Sequence, residues 1–246
     1  MNKPSFEGRP FIKIEIPKDI PTIGYLTGEL KDEFEKRYKA ILHEKYHDNK
    51  NLDVLDFSGD TFKGSNTYSS VLAAEILKDI GFRTARPIDL EKARELYKSN
   101  PSIGLDTSGH YVNYGVVFRS VDEPNKYLAE KLSPQIKKAV GKTKDPIVIL
   151  SEGLDIVNDD EAPEGLSFNL NGSGLIKAPT LKETIQFSKI NRDGMPIKNK
   201  NGSRTSYTIN SGLSGLPLDW DLDLGSYWGL LADSSSDGRV VVLSEP

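Results

Sequence analysis

The sequence predicts an α/β N-terminal portion over residues 1–150, followed by a β-rich C-terminal portion over 151–246 that packs on it as a domain or extension. Three observations carry that expectation. Through the first 150 residues, stretches with the two-residue period of strands alternate with stretches at helical period, the pattern of a mixed or mainly parallel sheet with helices. After residue 151 glycine, asparagine and serine become frequent, and no stretch keeps helical spacing over three turns. Turn signals at Asn171–Gly174, Arg192–Gly194 and Lys200–Ser203 separate short alternating runs, as hairpins require.

Phe11 to Ile16 alternates apolar and polar residues like a half-buried strand, and Pro17 and Pro21 break it. From Glu29 to His47, Leu30, Phe34, Tyr38, Ile41 and Leu42 recur at helical spacing, with Asp32/Lys36, Glu33/Arg37 and Glu35/Lys39 set for i,i+4 ion pairs. Leu52 to Phe57 reads as a strand, Thr67 to Ile80 as a helix stopped by Gly81, and Phe82 to Arg86 as a short strand ended by Pro87. Asp89 reads as the cap of a helix ending near Ser99-Asn100-Pro101, and His110 to Arg119 has the β-branched and aromatic density of a strand. Asp122 to Val140 reads as two short helices, because Ser133-Pro134 fits an N-cap followed by proline at the first helical position. Pro146 to Leu150 is a buried strand, and Arg239 to Leu243 the last one. Between them, Leu218, Trp220, Leu222 and Leu224 alternate with Asp219, Asp221 and Asp223, which puts apolar residues and carboxylates on opposite faces of one strand.

The composition excludes several functions. With 36 acidic against 32 basic residues, the net charge of −4 offers no general attraction to nucleic acid or anionic lipid. No apolar run approaches the ~20 residues of a membrane span, and no apolar stretch follows Lys3, so the protein is expected in the cytoplasm. Without cysteine, chemistry falls to carboxylates, hydroxyls, lysines and three histidines. Charge is segregated: Lys131, Lys137, Lys138, Lys142 and Lys144 precede an acidic run from Glu152 to Glu164. Such runs form two solvated faces or a docking surface.

His43-Glu44-Lys45-Tyr46-His47 is an H-E-x-x-H, and over these five residues it resembles the zincin metallopeptidase motif. The resemblance implies His43 and His47 as Zn²⁺ ligands on one helix side, Glu44 as general base, and Glu75, followed by Asp79, as the third ligand of the gluzincin branch. On a helical wheel, however, both histidines lie nearly opposite the Leu30/Phe34/Tyr38/Ile41 stripe, toward solvent. Ser58 to Asn66 resembles a phosphate-binding turn before a helix, with Ser58, Asp60, Lys63, Ser65 and Asn66 around an anion; its alternative is a tight connection capped by Ser65 or Asn66. L-D-x-S-G occurs at Leu55–Gly59 and again at Leu105–Gly109, so Asp56, Asp106, Ser108 and His110 would gather at strand ends, with Mg²⁺ between the carboxylates and a phosphate. Asp233–Gly238 resembles the opening of an EF-hand Ca²⁺ loop, or forms a serine-rich hairpin turn, and Trp220, Tyr227 and Trp228 read as core. The expected function is an intracellular binding or interaction protein for a small molecule or a protein partner, with an anionic or phosphate ligand at these strand-end loops. The alternatives are a zinc-dependent hydrolase and a Mg²⁺-dependent phosphohydrolase.

Overall fold

The computed structural model describes residues 5–6, 9–10, 22–59, 62–99, 109–219 and 221–244; the expected strand at Phe11 to Ile16 lies outside them. Strands β1 (Ser5–Phe6) and β2 (Arg9–Pro10) pair with each other, and β3 (Thr22–Gly24) precedes the first helix. Helix α1 (Gly28–Tyr46) forms because Phe34, Tyr38, Leu42 and Tyr46 repeat every four residues on one buried face. The expected Glu33–Arg37 and Glu35–Lys39 pairs form on its exposed side. Leu52 to Phe57 is a run of turns rather than a strand, because the N–H groups of Leu52, Asp53 and Val54 bond locally to the carbonyls of Asn49 and Leu52.

Helix α2 (Thr67–Asp79) is buried almost throughout. It opens in a capping box, in which Asn66 Oδ1 accepts from Ser69 N and Ser69 Oγ accepts from Asn66 N, both at 2.8 Å. Gly81, at φ +81°, follows its end as expected. After β4 (Phe82–Thr84), Pro87 opens helix α3 (Pro87–Ser99), and Asp89 sits inside the first turn rather than at the cap. From there its carboxylate accepts from Arg86 N at 2.8 Å and from the Arg83 guanidinium at 2.7 Å. Strand β5 (Tyr111–Phe118) leads to α4 (Lys126–Val140), one helix where two were expected. Pro134 lies within it, and Leu128, Ala129, Leu132 and Ile136 keep one buried face across the proline, so burial outweighs the lost hydrogen bond.

The rest of the chain is β-rich: β6 (Ile147–Leu150), β7 (Leu154–Asn158), β8 (Leu166–Leu170), β9 (Leu175–Lys177), β10 (Ile185–Ile190) and β11 (Pro196–Lys198). Then come β12 (Arg204–Thr208), β13 (Leu213–Leu218), β14 (Leu224–Ser226), β15 (Gly238–Arg239) and β16 (Val242–Ser244). The main sheet runs β11-β10-β12-β14-β13-β5-β6-β9, with β15 beside β5. Only β12–β14 and β15–β5 are parallel, so the sheet is mixed and not mainly parallel; tight turns join β10 to β11 and β13 to β14. The sheet also runs across residue 150, since β5 pairs with β13. A smaller antiparallel sheet, β3-β16-β4, and the β7–β8 hairpin complete the β structure.

Strand β5 carries one extra residue against β13: partners step from Gly215↔Val116 to Pro217↔Asn113. Gly115 absorbs this bulge at φ +140°, where a Cβ would lie 2.0 Å from the Ile149 carbonyl oxygen, so no other residue fits. The bulge changes the parity of the strand. Val112, Tyr114 and Val117 enter one apolar cluster, with Leu90, Phe187 and Leu216, whereas Val116 enters the other, with α1, α2 and α4. Tyr111 and Asn113 therefore share a face with Val116. No helix among the described residues is long and apolar enough to cross a membrane.

Asn66, fully buried, also donates from Nδ2 to the carbonyls of Asn51 at 2.8 Å and Ala232 at 2.9 Å. Asn66→Ala removes the cap and leaves both carbonyls without that donor, a loss of about 3 kcal/mol. Urea denaturation checks this, and a change under about 1 kcal/mol would contradict the assignment.

Candidate functional site

The face of β5 that carries Tyr111 and Asn113 forms, with Gly215 and Pro217 of β13, the floor of a cavity of about 450 Å³. Thr67, the first residue of α2, stands at its side. Two backbone bonds hold the covering segment over the sheet: Gly215 N donates to the Trp228 carbonyl at 2.8 Å, and Thr67 N to the Leu231 carbonyl at 3.1 Å. Trp228 and Leu230 thereby reach the cavity, joined by Asp233, Ser234, Ser235 and Asp237 from the following turn. Tyr111 fastens that turn, its hydroxyl accepting from Ser235 N and donating to the Ser65 carbonyl, both at 3.0 Å.

Asp219 supplies a third carboxylate from the β13–β14 connection. The alternating stretch expected as one strand is instead a turn, closed by Asp219 N donating to the Asp223 carbonyl at 2.9 Å and Leu222 N to the Asp219 carbonyl at 2.8 Å. Leu222 adopts φ +65°, a strained backbone for leucine, and its side chain is 3% exposed, so burial of the leucine offsets the strain. Trp220 lies outside the described residues. Burial, and then the charges of Asp221 and Asp223, push the Asp219 carboxyl up to about 6.

The cavity is electrostatically one-sided. Asp219, Asp233 and Asp237 line it beside His110, and no lysine or arginine does among the described residues. Arg239 follows the turn, but it is buried and its guanidinium donates to the carbonyls of Ser236 and Gly238.

Of the residues expected at a phosphate site, His110 alone among those described lines this cavity. Asp60, Asp106 and Ser108 lie outside the described residues. Asp56 and Lys63 are exposed and joined by an antiparallel bridge, and Asp56 Oδ1 accepts from Ser58 N at 2.8 Å. The Ser58 side chain and then this backbone bond, with Lys63 and Lys31 nearby, hold the Asp56 carboxyl below its ordinary range. Ser65 and Asn66 are buried and structural: Ser65 Oγ donates to the Arg239 carbonyl, and Asn66 caps α2. Among the described residues of the loop, the N–H groups of Ser58, Lys63, Gly64, Asn66 and Thr67 all bond within the protein.

The H-E-x-x-H does not assemble a zinc site. Helix α1 ends at Tyr46, and His47 is the left-handed C-cap at φ +51°, so the two histidines do not stand on consecutive turns of one helix. His43 is exposed and bonds Asp48 Oδ2 through Nδ1 at 2.8 Å, which raises the imidazole. Glu44 is exposed, and Glu75 pairs with Lys45 at 3.4 Å. Among the described residues no three His, Cys, Asp or Glu side chains are grouped to hold a metal ion, which covers Asp233–Gly238 as well as Glu75 and Asp79. The segregated charge runs meet each other in part, with Lys131 Nζ 3.5 Å from Asp159.

No family model, curated protein or solved structure matches the chain. The site is therefore read from its own geometry. Its residues were present in the sequence as separate features, the Asp219–Asp223 row, Trp228 and the Asp233–Gly238 turn, and only the fold brings them to one cavity.

The Asp219 carboxyl rises from an unfolded value near ~3.9 to about 6, so the folded state holds the proton more tightly. Stability from this group is present below the lower value and lost as pH rises through the higher one. Asp219→Asn is expected to be more stable than the parent at pH 7.5, by about 1 kcal/mol once partial solvent screening is allowed for. The gap should close toward pH 4, because Asp221, Asp223, Tyr227, His110, Asp233 and Asp237 are common to both proteins. Urea midpoints at the two pH values test this; a variant less stable at pH 7.5 would contradict it.

Proposed function

We propose that this chain is a binding protein whose cavity takes a small organic cation. The observation that carries the reading is the sign of the cavity: three aspartates line it, with no lysine or arginine among the described lining residues. A unit charge about 5 Å from a carboxylate gains or loses about 3 kcal/mol at an effective dielectric of ~20, so the same site that attracts an ammonium group repels a phosphate. The anionic ligand expected from the sequence therefore gives way to a cationic one. The volume of about 450 Å³ suits a small molecule rather than a peptide chain. Tyr111, Trp228 and Leu230 supply apolar surface beside the carboxylates, the usual composition of small-molecule sites.

Calorimetric titration at low ionic strength with ethanolamine, putrescine and choline, against inorganic phosphate and AMP, tests the reading. At least one cation should bind at a single site, and Asp219→Asn combined with Asp237→Asn should weaken it by about tenfold or more. Binding of phosphate or AMP, or of none of the three cations, would contradict it.

A further inference from the structure

Seven large apolar side chains are exposed among the described residues, and four of them, Tyr207, Tyr227, Trp228 and Leu230, are connected to the cavity. Trp228 and Leu230 line it. The Tyr227 ring centroid lies 5.6 Å from that of Trp228, with planes inclined by 49°. Tyr207 continues the series 5.8 Å from Tyr227, edge-on at 73°. The three rings remain 42%, 41% and 40% exposed and Leu230 70% exposed, although each ring touches another. Single exposed apolar residues are ordinary on a protein surface, but a contiguous aromatic ledge opening from a cavity marks a surface that something covers.

The ledge and the carboxylates belong to one site. Asp219 lines the cavity with Trp228, and its charge is felt by Tyr227, whose phenol is raised first by burial and then by Asp219 and Tyr207. Mutually inclined rings beside a carboxylate match the chemistry of an alkylated ammonium group. Such a nitrogen is weakly hydrated, carries its charge on methyl groups, and is drawn to the faces of Trp and Tyr. A primary ammonium is compact and strongly hydrated, and would take its hydrogen-bond acceptors from the carboxylates and gain little from the rings and the leucine.

We infer that the cavity and its aromatic ledge recognise a fully methylated ammonium group, with Trp228 as the ring wall inside the cavity, Tyr227 beside it on the ledge and Asp219 as the counter-charge. This inference rests on the cation reading proposed above and narrows it to one chemical class. Tyr207 extends the apolar surface for the remainder of the ligand, and Leu230 adds apolar lining to the cavity.

Choline and ethanolamine share a chain and a hydroxyl and differ by three methyl groups, so the pair isolates the inference. Calorimetric titration of the intact protein should give choline an affinity about tenfold higher than ethanolamine. Trp228→Ala and, separately, Tyr227→Leu should each remove most of that advantage, so that within either variant choline and ethanolamine bind with affinities within about twofold of each other. Tyr227 is half-exposed, so its variant keeps the test available if Trp228→Ala does not fold, and thermal denaturation identifies that case. Equal affinity for the two amines, or a choline preference that survives both variants, would overturn the inference and leave the cation reading standing. Binding of neither amine, nor of putrescine, would overturn both.

Discussion

The structure depends on the junction at Ser65 and Asn66, where helix α2 meets the central strand and the C-terminal segment. Ser65 gives its carbonyl to Tyr111 and to Asn113 Nδ2 and its hydroxyl to the Arg239 carbonyl, while Asn66 caps the helix and ties down Asn51 and Ala232. Four segments of the sequence are fixed relative to one another by two adjacent buried polar residues. The packing is tight enough that a Cβ on residue 238 would come within 2.7 Å of the Ser65 carbonyl oxygen, so glycine is required there. Buried polar groups with this many partners are worth more as a unit than singly, because each one lost leaves others unsatisfied.

The cavity is a consequence of that junction and of the bulge at Gly115. The junction sets Thr67 and the 231–238 segment beside β5, and the bulge lets Tyr111 and Asn113 face them while Val117 still reaches the opposite core. Around this frame the chain accepts local costs. Asp219 is half-buried among carboxylates, Leu222 holds a left-handed backbone, and three aromatic rings stay in water. Departures from good folding practice gathered at one place support the ligand site proposed above. The distribution contrasts with a half-buried cation at the main sheet, Arg119, whose guanidinium is met by the hydroxyls of Ser214, Thr208 and Ser226 and the Leu181 carbonyl and serves to fasten strands.

Helices α1 and α2 were legible in the sequence because a repeat of four apolar residues and a glycine stop are local signals. Of the three C-terminal turn signals, Arg192–Gly194 joins a hairpin, β10 to β11, whereas Asn171–Gly174 links strands of different sheets and Lys200–Ser203 links β11 to β12, which flank β10 on either side. What failed was non-local. Leu52 to Phe57 has strand composition, but Leu52 to Val54 bond within their own turn and the stretch pairs only through the isolated bridge of Asp56 with Lys63, while Pro134 looks like a helix start until the continuous burial of Leu132 and Ile136 is known. The Asp219–Asp223 alternation has the period of a strand and the structure of a turn, since only the pairing of β13 with β14 decides between them. The candidate site was the least legible part, because its residues come from positions as far apart as Thr67 and Asp237. The H-E-x-x-H attracted attention by order alone; one residue beyond the end of α1, His47 cannot serve the geometry its spacing suggests.

In the function proposed, the cavity lined by Trp228 holds a cation against Asp219. A crystal structure of the protein grown in choline chloride tests it most directly, because the two ions offered have opposite charge. The account predicts choline in the cavity, its nitrogen between Trp228 and the Asp219 carboxylate. Chloride in that place, or choline bound only elsewhere, would contradict it.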